Sequence, residues 1–306
     1  MRKALVSALL TQSKDPAFCF LTGDLGFMAL EPLREALKER FFNMGVAEQN
    51  MVSVAAGLAQ TGLRPWVYSI APFCYARPFE QIRNDICLHD LPVRLLGNGA
   101  GYGYGVQGPS HHALDDCAVM GSLQNMSVYA PAFKDDLSSL VDFLSQDPHP
   151  AYLRLGLDEG PAGIPRPTYA PFRCLEEGAA GLILALGTLA GPIWGAVLEM
   201  PKANRPAIWC CSRLPSRTGD FPDVVLRQAA AAPWTIVVEE HVATGGLGSS
   251  FTHAALETGI TPRRFVHRHA LGYPGNCYGS QEYHRRECGL SIASLCECAM
   301  SLSGAL

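Results

Sequence analysis

Short apolar runs alternate with longer amphipathic ones along most of this chain. AFCFLTGD (17–24) reads as a strand and LEPLREALKER (30–40) as a helix with its charges on one side. RFFNMG (40–45) reads as a strand, and AEQNMVSVAAGLAQTG (47–62) as a helix apolar on nearly every face. RPWVYSIA (64–71), LPVRLLGN (91–98), MSVYAPA (126–132) and AYLRLG (151–156) continue the strands; ARPFEQIRNDICLHD (76–90) and FKDDLSSLVDFLSQD (133–147) continue the helices. Near-continuous apolar strands separated by helices predict a parallel sheet covered on both faces. The stretch 157–175 is proline-rich and aperiodic, and reads as a linker. A second alternating set follows, with strands at 181–188, 205–211, 234–241 and a last one at 263–271. The pattern predicts two doubly wound α/β domains, 1–157 and 176–306, joined by a strap at 158–175.

Composition narrows the function classes. The chain has 306 residues, of which 48% are hydrophobic and 17% charged, so it is short of surface charge and predicts apolar surface covered by another chain. Net charge is −4 with no basic block, which argues against nucleic acid as a partner. MRKALVSALLTQSKD reads as a first amphipathic helix and not as a leader, and no apolar run approaches the roughly 20 residues that span a bilayer. Eleven scattered cysteines without a CxxC pair read as free thiols in a reducing cytoplasm.

Three stretches carry candidate chemistry. Glu48 is a lone acid at the start of the helix 47–62, among Met44, Val46, Met51 and Val52. The helix dipole favours a carboxylate there, which is a purely structural account. The apolar neighbours predict desolvation instead, and a neutral carboxylic acid in an apolar slot donates a hydrogen bond. In YSIAPFCYARPFEQIRN (68–84), Phe73, Tyr75 and Phe79 surround Arg77. Aromatics at such spacings serve a core or a ligand platform; Phe73, read as lying in a turn before the helix, is placed to face a planar heterocycle. GNGAGYGYGVQGPSHHALDD (97–116) has six glycines in its first dozen residues, hence a loop approaching a ligand or another backbone, and ends in Ser110-His111-His112 before Asp115 and Asp116. Adjacent histidines diverge on most backbones, so a shared metal is disfavoured against a catalytic or substrate-binding imidazole.

FFNMGVAEQN, APFCYARPFEQIRN and the loop ending GPSHHALDD follow one another in an order that resembles the pyrimidine-binding domain of the transketolases. ALGT (185–188), VVEEH (237–241), GGLGS (245–249) and HALGYPGNCYGS resemble their C-terminal domain. The resemblance implies a thiamine-diphosphate enzyme in which Glu48 meets N1′ of the aminopyrimidine and supplies its proton, activating the thiazolium carbon. It implies cofactor contacts from Phe73, Arg77, Tyr75 and Phe79, with Phe73 stacked on the ring. It further implies that His111, with Ser110 and Gln107 on its loop, touches substrate near the reacting carbon, and that Arg154 binds an anionic end.

The GDG…Asn signature of a diphosphate and Mg²⁺ site is missing; Gly23-Asp24-Leu25 has Asn43 too close behind. The resemblance therefore implies the C-terminal subunit of a split transketolase. A second, N-terminal subunit would carry most Mg²⁺ ligands, in a heterotetramer with two copies of each chain, acting on sugar or aldehyde substrates. Gln107 stands where these enzymes usually carry an acid, which implies a different acceptor. A 2-oxoacid dehydrogenase β-subunit, a deoxyxylulose-phosphate synthase-like protein and a non-catalytic scaffold subunit remain as alternatives.

Overall fold

The computed structural model describes residues 1–26, 28–215 and 218–303; residues 27, 216–217 and 304–306 of the two expected domains lie outside it. The first sheet contains β1 (Phe18–Thr22), β2 (Phe41–Asn43), β3 (Arg64–Ile70), β4 (Arg94–Asn98), β5 (Ser127–Tyr129) and β6 (Ala151–Leu155), in the order β2-β1-β3-β4-β6-β5. All its pairings are parallel. The second sheet has β7 (Phe172–Ala179), β8 (Leu182–Leu186), β9 (Pro206–Cys211), β10 (Thr235–Val238) and β11 (Phe265–Arg268), in the order β11-β10-β8-β9-β7.

The apolar runs form strands because both faces are covered: every residue of β1, β6 and β8 is buried. Arg94, inside β4, tolerates burial because its guanidinium donates to the carbonyls of Leu144 (2.8 Å), His149 (2.7 Å) and Asp147. Among the described residues no helix is long and apolar enough to cross a membrane. All eleven cysteines are free, and all but Cys174, Cys277 and Cys296 are buried.

Four local expectations need correction. The helix expected at 76–90 starts earlier, at Ala71–Tyr75, is interrupted, and resumes at Phe79 with a wide-turned segment at Ile82–Cys87. Pro72 suits the first turn of a helix, whereas Pro78 has no N–H to give and its ring crowds the preceding turn. The end of the expected linker is the antiparallel edge strand β7, paired with β9 through register shifts. The helix at Glu48–Gln60 buries one face (Met51, Val52, Ala55, Ala56, Ala59) and exposes Gln49, Asn50, Ser53 and Gly57, so its small residues are not apolar on every side. The tail beyond β11 carries two helices, Gln281–Glu287 and Ile292–Ser303, that the alternation did not suggest.

The halves are joined by polar pairs as well as by the strap. Asp136 accepts from the N–H groups of Ala132 and Phe133 (3.0 Å each) at the start of its helix, and its carboxylate also takes Arg173 of β7 at 2.6 Å.

Candidate functional site

Parallel strands of this kind leave their carboxyl ends open to ligands, and the three singled-out stretches all leave the first sheet at that end. Asn43, the last residue of β2, accepts the N–H of Gly45 (2.9 Å), and Gly45 takes a left-handed φ of +69° that turns the chain into the helix. Glu48 is thereby the first helical residue, 5% exposed, with Met51 and Val52 fully buried behind it. Val46 does not desolvate it, being 79% exposed.

Glu48 is not alone. The chain leaving β3 returns Arg77 to it, and the guanidinium donates to Oε1 at 2.8 Å. The same guanidinium lies over Phe73, its central carbon 3.7 Å from the ring centroid. The expectation of an unpaired acid is therefore corrected for this state: the carboxylate has a cation beside it, 29 residues away in sequence. Next to it, the buried Cys74 thiol is pushed up to about 12 by burial and then by the Glu48 charge. Phe73 sits inside the short helix Ala71–Tyr75, not in a turn before it. Its ring makes a T-shaped contact with His111, at 5.2 Å between centroids and 67° between planes.

Glu48, Arg77, Phe73 and His111 thus form one contiguous group at the edge of a recess of about 530 Å³ lined by Val46, Ala47, Glu48, Gln49, Asn50 and Arg77. The gap between acid and aromatic ring has room for a planar group that hydrogen-bonds at its edge and stacks on its face, since a guanidinium there already bonds the acid and lies over the ring. An aminopyrimidine has the same two requirements, so the residues fit it. A second cavity, about 500 Å³ between the helices 190–198 and 292–303, is lined by apolar residues and lies away from these groups.

The other expected residues divide. Tyr75 is buried and donates its hydroxyl to Asp115, bracing the loop, and burial together with that bond raises its pKa. Phe79 packs against a core cluster that draws on both halves of the chain. Gln107 and Ser110 are exposed on the glycine loop, and Ser110 Oγ shares a 2.9 Å hydrogen bond with His111 Nδ1. Arg154 is corrected outright as an anion binder. It is 4% exposed, its Nε meets both Asp116 oxygens at 3.0 Å, and another nitrogen donates to the carbonyls of Ala113 (2.9 Å) and Glu240 (2.7 Å). Burial lowers its pKa, but the Asp116 charge together with Cys117, Tyr152 and Glu240 outweighs that, and the net shift is upward.

The two loop imidazoles face apart, as adjacent residues tend to: His111 to Phe73, His112 inward to Gly105 and Tyr273. Among the described residues Asp116, Cys117 and His241 bring metal-ligating atoms together. Asp116 is committed to Arg154 and Tyr152, and His241 meets the Val242 carbonyl and the Ala118 N–H. Asp24 and Asn43, too close in sequence for a phosphate site, are side by side (3.2 Å) because Thr22 of β1 pairs with Asn43 of β2. Sequence reasoning missed the Asn98–Tyr104 hydrogen bond (2.7 Å) next to His111; two tyrosines inside a glycine run were the available signal.

Residues 2–159 match the family model described as transketolase, pyrimidine binding domain. An apulose-4-phosphate transketolase subunit of Actinobacillus succinogenes is 27% identical over 90% of this chain and 88% of its own length. A 1-deoxy-D-xylulose-5-phosphate synthase of Geobacter metallireducens is 31% identical over 87% of this chain, which spans only 43% of that relative. A solved structure, an inactive β4 tetramer of a split-gene transketolase, superposes with a TM-score of 0.81 at 28% identity, over 99% of this chain and 97% of the other. The fold, the order of the site residues and these matches agree: the chain belongs to the transketolase family, through its pyrimidine-binding domain, and resembles the C-terminal subunits of split transketolases along its whole length.

Proposed function

We propose that this chain is the pyrimidine-binding subunit of a two-chain transketolase that moves a two-carbon ketol unit from a ketose or its phosphate to an aldehyde. The observation that carries the reading is the convergence of Glu48, Phe73 and His111 around one planar slot. When bound, thiamine diphosphate supplies the carbon that takes up the ketol unit. Phe73 stacks on its aminopyrimidine, and Glu48 holds a proton at the ring nitrogen. Arg77 has to leave the slot for this to happen. Its departure leaves the buried Glu48 carboxyl without its cation and open to hydrogen-bond the ring nitrogen. His111, on the rim, hydrogen-bonds the substrate near the reacting carbon, with Ser110 and Gln107 on the same loop. The residues 1–157 form the cofactor-facing domain and 176–306 the C-terminal one. An N-terminal partner brings the diphosphate site and most Mg²⁺ ligands, in an assembly with two copies of each chain in the cytoplasm. Two similar proteins support a partner: the Actinobacillus succinogenes relative is one subunit of its enzyme, and the superposed structure comes from a split-gene transketolase.

The likeness to deoxyxylulose-phosphate synthases favours a second reading, in which pyruvate is the donor. Co-expression with the partner chain separates the two. Two-carbon transfer from a ketose phosphate, only when both chains are present, is the expected result; carbon dioxide released from pyruvate would select the second reading. Absence of both reactions, with no binding of thiamine diphosphate, would leave a scaffold subunit. In the same assay Gln107→Asp shifts acceptor preference toward ordinary aldose phosphates, because an anion replaces a neutral amide as hydrogen-bond acceptor. An unchanged preference removes Gln107 from acceptor choice.

A further inference from the structure

The glycine loop that carries Gln107, Ser110 and His111 is gripped from the second half of the chain. Tyr102 is fully buried: its N–H donates to Glu240 Oε1 (2.6 Å) and its hydroxyl to the Gly272 carbonyl (2.6 Å). Its ring stacks on His284, 4.6 Å between centroids. Glu240, 4% exposed, is held in turn by Gln281 (2.9 Å) and by Arg285 (2.6 Å). Gly101 lies so close that an added Cβ would come within 2.4 Å of the Glu240 carboxylate. Only glycine lets this loop seat on that acid.

A second grip is beside His111 in sequence. His112 is buried, and burial lowers its pKa, so the ring is neutral at physiological pH. Its Nε2 faces the Gly105 carbonyl at 2.7 Å and must carry the proton, because a carbonyl only accepts. Nδ1 is then an acceptor, and the Tyr273 hydroxyl, 2.9 Å away, donates to it. The imidazole therefore ties residue 105 of the loop to residue 112 and both to the residue 273 segment.

We propose that Tyr273 and Glu240 are positioning residues: the second half, which supplies none of the slot residues, sets where His111 and its neighbours stand over the slot. Its consequence for turnover rests on the reading given under Proposed function, but the grip itself does not. In the full chain, Tyr273→Phe removes one hydroxyl and leaves the buried Nδ1 acceptor unpartnered. Amide hydrogen exchange across 99–112 is then expected to rise about tenfold, the effect of one lost buried hydrogen bond, with β8 and β10 unchanged. Glu240→Gln, which cannot pair with Arg285 as an anion, loosens the same segment. Loop exchange that matches the parent in Tyr273→Phe, or that rises equally throughout the second sheet, overturns the proposal. In the assembled enzyme, Tyr273→Phe raises KM for the acceptor and leaves proton exchange at the cofactor's reactive carbon intact, a split that general destabilisation would not produce. Exchange lost in parallel with KM also overturns it. Failure of the parent pair to turn over any substrate would count against the functional reading, while the loop measurement would still decide the grip.

Discussion

Glu48→Gln abolishes proton exchange at the reactive carbon of thiamine diphosphate bound in the assembled enzyme, by about 10²–10⁴-fold, the usual contribution of a positioned acid or base. Glutamine keeps the shape and a hydrogen bond but has no proton to exchange at the ring nitrogen. The size of the loss follows from the setting: a 5% exposed group at the first turn of a helix, with no other carboxylate in the slot-lining set. Retained cofactor binding with lost exchange is the pattern to expect; exchange within about threefold of the parent removes Glu48 from the chemistry. Arg77 offers a companion measurement. If its guanidinium must give way to the heterocycle, Arg77→Met binds cofactor more tightly, because nothing charged and planar competes for the Phe73 face. Weaker binding would instead make Arg77 a cofactor contact in its own right.

Asp116→Ala is expected to cost about 3–5 kcal/mol of stability, the range found when one partner of a buried ion pair is removed. Asp116 is fully buried, and its oxygens take Arg154 Nε twice at 3.0 Å and the Tyr152 hydroxyl at 2.8 Å. Its removal strands a buried guanidinium whose other bonds reach Ala113 and Glu240, so the site loop and the junction between halves loosen together. Urea unfolding followed by near-UV and far-UV signals measures it. An Arg154→Met partner variant restores part of the loss, since two neutral groups replace one unpaired charge. A loss below about 1 kcal/mol would mean that the pair is not buried in solution.

Much of the layout was legible because strand signals in a parallel sheet are strong: both faces are covered, so apolar residues run without interruption through β1, β6 and β8. The site stretches were legible because glycine runs, an acid in an apolar context and a cluster of aromatics are conspicuous locally. What pairing the acid would have was not legible. Arg77 reaches Glu48 only because Pro78 ends the short helix, and Arg154 looks like a free cation until β6 is placed beside the Asp116 helix. β7 was hidden because an edge strand need be buried on only one side, and its alternating burial sits next to a proline-rich strap. The first tail helix was missed because its polar first turn, beginning Gln281-Glu282, follows an irregular glycine-rich stretch.

The bonds that seat the glycine loop join residues 138 and 170 positions apart, Tyr102 to Glu240 and to Gly272. Contacts that distant are among the last a chain can make, since closing so long a segment has to be compensated before they form. During synthesis the loop emerges long before the segments that hold it. The nascent first half can lay down its sheet, but the rim of the slot is completed only after Gly272 and the helix Gln281–Glu287 have left the ribosome. A ribosome stalled before those helices emerge would display a folded sheet whose loop still samples many shapes.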